Sequence, residues 1–283
     1  MHKNKEDFLT ETVTLLQIIY EGDFFSMISK SKIKQLSSLA IKKYRNSAGL
    51  FLVEGDKMVL ELAKSHIGIA ELIVTGEFEQ SVHNHGLRAE TITLVSKDEL
   101  KKVSLLKTPQ NSLAVCRIPE QKPLPETLSD DLTLYLDGIQ DPGNMGTIIR
   151  ICDWFGIRNI FCSAETVDPY NPKVIQASMG SFARVSVTEC DFMQFRTIAQ
   201  NSGACIYGTF MEGSNVYTEN LSKKSVLVMG NEGNGISDAI KNAVDQKISI
   251  PNFSENEHKA ESLNVSVATA ILCSEFKRSV GRV

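Results

Sequence analysis

Three glycine-bearing segments in the second half of the chain carry side chains capable of chemistry, and each follows a run that reads as a β-strand. The first is Asp137-Gly-Ile-Gln-Asp-Pro-Gly-Asn-Met-Gly-Thr-Ile-Ile-Arg150. Gly143 and Gly146 permit a tight strand-to-helix turn and close approach of another backbone or of a ligand. Asn144 is placed to cap the following helix, with Arg150 about two turns in. The glycines at 138, 143 and 146 do not match the G-x-G-x-x-G spacing of a dinucleotide-binding turn. The second segment is Val228-Met-Gly-Asn-Glu-Gly-Asn-Gly-Ile-Ser237. Its loop leaves backbone amides and carbonyls free, but it lacks the Gly-Lys-Ser/Thr ending that cradles phosphates, and Glu232 would repel them. A neutral or cationic ligand, such as an adenosine carrying a sulfonium, suits it better. Ser237 is expected to cap the next helix. The third segment joins Ile248-Ser-Ile-Pro251 to Glu261-Ser-Leu-Asn-Val-Ser-Val-Ala268 through a polar insert. Ser262, Leu263 and Asn264 open a helix rich in small residues, and a buried Asn264 would need a polar partner.

The elements that must position these segments alternate between strand and helix. From Leu132 the pattern predicts strand 132–136, helix 145–155, strand 159–162, helices 172–179 and 192–200, strands 204–209 and 225–229, helix 237–243, strand 247–250 and helix 262–278. Strands separated by helices imply a mostly parallel sheet covered on both faces. In such sheets ligands bind beyond the carboxyl ends of the strands, where all three segments fall.

A smaller α/β unit of about ninety residues precedes this one. Ile33, Leu36, Leu39 and Tyr44 lie close to helical spacing, with lysines on the opposite face. Strands are expected at 50–53, 72–74, 92–95 and 112–117, and Ser96 with Glu99 is a capping-box signature. The boundaries read as an extension over 1–26, a small domain over 27–117, a proline-bearing linker over 118–130 and the larger domain over 131–283. Residues 8–20 could form an amphipathic helix, and Met27 reads as a natural start.

Composition narrows the class. The chain is 42% hydrophobic and 23% charged, which fits a folded globular protein. No apolar run reaches the roughly 18 residues of a membrane span, and the N-terminus does not show the small-residue cleavage site of a secretory signal, so none is expected. Six cysteines without a CxxC pair argue against a zinc site and a disulfide framework, and fit free thiols in the cytoplasm. No metal is expected. The net charge of −4 hides a basic stretch between Lys30 and Lys64, which holds eight lysines and arginines against three acids. Such a local basic face can bind phosphates on an acidic protein.

The three segments, in this order, resemble the motifs of the SpoU/TrmH family of SPOUT-class methyltransferases. The stretch Asn171 to Arg184 resembles the region between the first two motifs, and Thr108 to Val115 resembles the end of that family's N-terminal domain. The resemblance spans roughly residues 29–278. It implies an α/β fold with a deep trefoil knot, a homodimer with sites completed across its interface, and methyl transfer from S-adenosylmethionine to a ribose 2′-hydroxyl of RNA. By the same resemblance Asn144, Arg150, Glu232 and Asn264 form the catalytic set. Thr209, Gly230, Asn231, Gly235, Ile250, Ser262 and Leu263 would hold the cofactor, with Ile250 and Leu263 flanking the adenine. The smaller domain would bind RNA through Lys30, Lys34, Lys42, Lys43 and Arg45 on a lysine-rich helix. Ribosomal RNA is favoured over transfer RNA as substrate. The insert 252–261 is longer than in many relatives, so a lid is one reading of it and a solvated loop, with His258 exposed, the other. The rival functions are a non-catalytic RNA-binding assembly factor that keeps the fold, and a nucleotide-dependent oxidoreductase.

Overall fold

The computed structural model describes residues 26–121, 123–254, 260–279 and 281. The expected helix at 8–20 and residue His258 lie outside the described residues, as does nearly all of the expected extension.

The larger sheet has six strands in the order β10-β8-β9-β5-β6-β7, all parallel. In chain order these are β5 (Leu132–Asp137), β6 (Asn159–Cys162), β7 (Ser186–Glu189), β8 (Cys205–Asn215), β9 (Ser225–Gly230) and β10 (Gln246–Ser249). Every residue of β5 and of β9 is buried, as the continuous apolar runs require of central strands covered on both faces. The helices between them are α6 (Pro142–Trp154), α7 (Pro172–Ser178), α8 (Phe192–Asn201), α9 (Asp238–Lys241) and α10 (Val265–Ser279). One core, including Leu134, Leu136, Ile148, Ile149 and Phe276, lies beneath α6 and α10. The other, around Tyr135, Phe161 and Phe195, lies beneath α8. The chain runs outward from β5 through β6 to β7, then crosses back to β8 and β9. The direction therefore switches between β5 and β9, whose last residues Asp137 and Gly230 pair in register. After β10, at the far edge, the chain returns to lay α10 against α6, β5 and β9.

The smaller sheet has the order β1-β4-β2-β3, from β1 (Leu50–Glu54), β2 (Ile69–Val74), β3 (Thr91–Leu94) and β4 (Ser112–Arg117). Only β2 and β3 are parallel. Helices α1 (Lys30–Ser38), α2 (Lys42–Ala48), α3 (Asp56–Glu61), α4 (Gly76–Asn84) and α5 (Lys97–Val103) surround it. Ser96 caps α5 as expected, accepting from the Glu99 amide at 3.2 Å. The Glu99 carboxylate does not close the capping box. It accepts from the amide of Ile28 at 2.9 Å and so ties the start of the chain's described part to this helix.

Two expectations for this region are corrected. The basic stretch is not one helix: the chain breaks over 39–41, so α1 and α2 are separate elements. Arg45 is also not a surface cation, being only 1% exposed. Its guanidinium donates to Asp168 through Nε at 2.9 Å and Nη2 at 2.5 Å, and to the carbonyl of Leu39 at 2.8 Å. The physical reason is shared: the last carbonyls of α1 need donors, and Arg45 reaches back to one while pairing with the larger domain. Lys30, Lys34, Lys42 and Lys43 are exposed as expected.

The two sheets are joined by more than the Arg45–Asp168 pair. Phe51 packs on Tyr170 and Phe182, and Ile175 of α7 belongs to the smaller sheet's core. Gln176 donates to the carbonyl of Glu54 at 2.8 Å, and Arg184 pairs with Glu61 and Asp153. Cys116, Cys152, Cys162 and Cys273 are buried, and burial raises all four thiols, Cys162 and Cys273 to about 12. They are inert packing groups, as free buried cysteines are expected to be. No group of ligands able to hold a metal occurs among the described residues. No described helix is long and apolar enough to cross a membrane.

Candidate functional site

A cleft of about 900 Å³ opens at the carboxyl ends of β9 and β10 and beside Thr209–Met211 of β8. It is bounded by Thr209, just past the point where β8 stops pairing with β9, by the strand ends at Gly230 and Ile250, by the loop 231–237, and by the segment entering α10. All seven residues expected to hold a cofactor line it: Thr209, Gly230, Asn231, Gly235, Ile250, Ser262 and Leu263. Sequence residues far apart meet here because parallel strands present every carboxyl end on one edge.

The local geometry depends on glycine at one place above all. A Cβ on Gly230 would lie 2.3 Å from the carbonyl carbon of Gly235 and 2.4 Å from the nitrogen of Ile236. The loop therefore folds back directly onto the end of β9. Its turn is closed by reciprocal backbone bonds between Asn231 and Gly235, both 2.9 Å, with Gly235 at φ +69°. Asn231 is committed to this architecture. Its side-chain oxygen accepts from the amides of Gly233 and Asn234, and its Nδ2 donates to the carbonyl of Gly138 at 2.7 Å. That last bond joins the second motif to the first.

Three of the four expected catalytic residues form a single chain of hydrogen bonds. Asn264 uses its oxygen to accept from the amides of Ser266 and Val267, at 3.0 and 3.3 Å, capping the first turn of α10. Its amide group is then free to donate, and does so to Asn144 Oδ1 at 2.9 Å. Asn144 in turn donates through Nδ2 to Glu232 Oε1 at 3.0 Å. The donor–acceptor direction is forced along the whole chain, because the carboxylate at its end can only accept. All three motifs are joined by it. Glu232 and Asn264 also line the cleft, whereas Asn144 stands behind them.

Two capping expectations are corrected here. Asp141, not Asn144, caps α6: it accepts from the Asn144 amide at 2.8 Å, and Pro142 occupies the first helical turn. The Asn144 side chain is thereby released for the network. Ser237 stands at the start of α9 but makes no side-chain cap bond. Its amide donates instead to Asp137 Oδ2 at 2.7 Å, anchoring the loop to the end of β5.

Arg150 is not brought to the other three. At about 100° per residue, six residues place it about 120° around α6 from Asn144 and about 9 Å along the axis. It is exposed and has no ion-pair or hydrogen-bond partner among the described residues. On the same helix Trp154, the chain's single tryptophan, is 86% exposed. Phe210, Met211 and Phe253 also line the cleft and were missed by the sequence reading. An aromatic within the polar insert was the available signal for Phe253. Phe210 and Met211 were hidden because β8 runs on to Asn215, six residues past its expected end.

The charges around the cleft define what fits. Glu232, Asp238 and Glu261 face a single lysine, Lys241. A pyrophosphate would meet three acids and one cation, which disfavours a dinucleotide. A nucleoside with a positive centre meets opposite charge, apolar walls at Ile250 and Leu263, and open backbone groups for its ring edges.

Comparison with known proteins agrees with this geometry. Residues 131–274 match the model of the SpoU rRNA Methylase family, and residues 30–114 match that of the MRM3-like substrate binding domain. The chain is 32% identical over 243 residues to the 23S rRNA (guanosine(2553)-2′-O)-methyltransferase RlmP of Bacillus subtilis, covering 85% of this chain and 94% of that one. Its fold matches that of a TrmH-family protein from Porphyromonas gingivalis with a TM-score of 0.79 and 38% identity, over 89% of this chain and 99% of that one. It also matches an AdoMet-bound rRNA methyltransferase from Sinorhizobium meliloti with a TM-score of 0.77 and 26% identity, over 89% and 97% of the two chains. A cleft at the carboxyl edge of a parallel sheet, closed by three linked motifs, and a matching family model over half the chain together place this protein in the SpoU rRNA methylase family.

Proposed function

We propose that this protein methylates a ribose 2′-hydroxyl of ribosomal RNA, with S-adenosylmethionine as methyl donor. The observation that carries this reading is the Asn264–Asn144–Glu232 chain, which binds all three motifs around one acid-lined nucleoside cleft. The same network argues against an assembly factor that merely keeps the fold, since such a protein has no need of an intact site.

When bound, S-adenosylmethionine supplies a methyl already activated by its sulfonium, so the protein chiefly orients the acceptor. Thr209 within β8 and the strand ends at Gly230 and Ile250 would bind the adenosine, with Ile250 and Leu263 beside the ring. Ser262 and Gly235 would complete the wall, while Asn231 would hold the loop rather than touch the cofactor. Asn144 and Asn264 would keep Glu232 at the floor of the site. Arg150 would grip the phosphate next to the target ribose, bidentately, and so aim the 2′-hydroxyl. A guanidinium with a pKa above about 12 is a poor base, which favours gripping over proton abstraction.

Several wider readings rest on the same basis. The chain is proposed to divide into a substrate-binding unit over 27–117, a linker over 118–130 and a methyltransferase unit over 131–283. The return of α10 beneath β5 and β9 after the edge strand β10 is the path a trefoil knot would take. The open flank of α6, with Arg150 and Trp154, is proposed to face a second copy in a homodimer, whose cleft Arg150 would serve. Trp154→Glu is accordingly expected to yield monomers in sedimentation equilibrium and to lose methyl transfer. Dimers that persist with full activity would move the interface elsewhere. The cytoplasm is the proposed location.

The test of the reaction is transfer of labelled methyl from S-adenosylmethionine to ribosomal RNA, with transfer RNA in parallel. Label in ribosomal RNA supports the reading, label only in transfer RNA corrects the substrate, and no cofactor binding overturns it. In the same assay Arg150→Ala is expected to lower kcat/KM by about 100-fold or more, the scale of a misaimed reacting group. Turnover at the parent rate, with RNA binding intact, would remove Arg150 from the mechanism.

A further inference from the structure

Helices α1 and α2 contain no acidic residue, and Lys30, Lys34, Lys42 and Lys43 are exposed on them. Within this basic surface stand two exposed apolar side chains, Tyr44 at 48% and Ile41 at 55%. The orientation of α2 is fixed because Arg45 is buried against Asp168. At about 100° per residue, Lys43 then points about 160° away from Arg45, and Tyr44 lies on the flank between them. The helix also has a fixed place on the larger sheet. Asp168 lies past the end of β6, and Lys42 Nζ is 3.9 Å from Glu189, the last residue of β7. Tyr44 and the cofactor cleft are therefore set along the same carboxyl edge. The separation between the ends of β9 and β7 is three strand spacings, about 14 Å. A single-stranded segment a few nucleotides long covers such a span.

We propose that Tyr44 is a stacking platform for an unpaired base of the RNA substrate, with Lys43 holding the adjoining phosphate, a few nucleotides from the methylated ribose. The inference rests on the RNA-methyltransferase reading and adds a named site for single-stranded RNA to it. The chemistry favours this occupant over a protein. An exposed aromatic ring with Lys43 next to it in sequence, on a pair of helices that also expose Lys30, Lys34 and Lys42, matches the negative backbone and flat π-faces of an unpaired strand. Duplex RNA would offer phosphates but no accessible base face. Arg45 and Asp168 act as positioning residues for the platform and make no contact with the RNA.

The experiment compares the full-length parent with Tyr44→Ala, Tyr44→Phe and Lys43→Ala. A 12-nucleotide single-stranded RNA and a 12-base-pair RNA duplex are titrated against each at several salt concentrations, and S-adenosylmethionine binding is measured in parallel. Tyr44→Ala is expected to weaken single-strand binding by about 5- to 100-fold, the loss typical of one base–aromatic stack, with the salt dependence unchanged. Tyr44→Phe keeps the ring and should stay within about twofold of the parent. Lys43→Ala should lower the magnitude of the log–log salt slope by about 0.7, one single-strand phosphate contact. Duplex and cofactor binding by Tyr44→Ala should equal the parent's, which also reports an intact fold. Parent-level single-strand binding by Tyr44→Ala overturns the platform alone, as does an equal loss on duplex. A parent protein that binds cofactor but neither RNA overturns the RNA reading, and the platform with it.

Discussion

Arg45→Ala is expected to destabilise the protein by about 3–5 kcal/mol, the cost of breaking a buried ion pair from one side. The remaining Asp168 would be a carboxylate only 9% exposed, with one oxygen still held by the amide of Tyr170 at 2.9 Å and the other stripped of its two guanidinium bonds. The carbonyl of Leu39 would lose its donor as well. Arg45→Lys should recover little, because an ammonium cannot reproduce the forked contact and the reach to Leu39 together. Arg45→Met combined with Asp168→Leu should recover much of the loss, since it leaves no unpaired buried charge. Urea titration reads these differences as shifts of the midpoint at constant slope. A loss below about 1 kcal/mol for Arg45→Ala, in the range of an exposed pair, would show that the pair is open to water.

The second large effect is expected at Gly230. An alanine there would set its Cβ within 2.7 Å of three backbone atoms of Gly235 and Ile236. Backbone on both sides leaves no flexible side chain to yield, so the loop 231–237 must lift from the end of β9. The Asn231–Gly235 closure and the Asn231 bond to Gly138 would be strained with it. Overpacking of this kind costs about 1–3 kcal/mol of stability. The larger consequence falls on the cleft, where a displacement of about 1 Å is enough for about a 100-fold loss of function. Calorimetric titration with S-adenosylmethionine should show the weakened binding directly. Unchanged affinity would mean that the loop is not part of the cofactor site.

These two positions also show where a sequence can and cannot be read. Gly230 was legible because it follows the apolar run Val226–Met229 and opens a glycine-rich loop, a pattern with few physical alternatives. The strands Asn159–Cys162 and Ser112–Arg117 were read to the residue for a similar reason, since most of their side chains are buried. Strand β7 was missed because it sits at the sheet edge and buries none of its four residues, so no hydrophobic pattern marks it. Arg45 was misread because its neighbours are exposed lysines. Nothing local distinguishes a cation aimed at solvent from one aimed at an acid 123 residues away. The break between α1 and α2 carries no glycine or proline and is settled by the same tertiary contact.

The site shows the same division. All seven residues that the family resemblance assigned to the cofactor line the cleft, which gathers at the carboxyl edge of the parallel sheet. The roles within it were less legible. Asn144 looked like a helix cap, but Asp141, three residues earlier, takes that position and frees the amide for Glu232. The pairing of Asn144 with Asn264 joins residues 120 apart and could be seen only once the fold was in place.

The most direct test of the central claim asks which atom of the RNA receives the methyl group. Ribosomal RNA labelled by the protein with methyl-labelled S-adenosylmethionine would be hydrolysed in alkali, a cleavage that needs a free 2′-hydroxyl at each linkage. Methylation of the ribose protects one linkage, so the label should emerge in an alkali-resistant dinucleotide. Label recovered in a mononucleotide would place the methyl on a base and contradict the account.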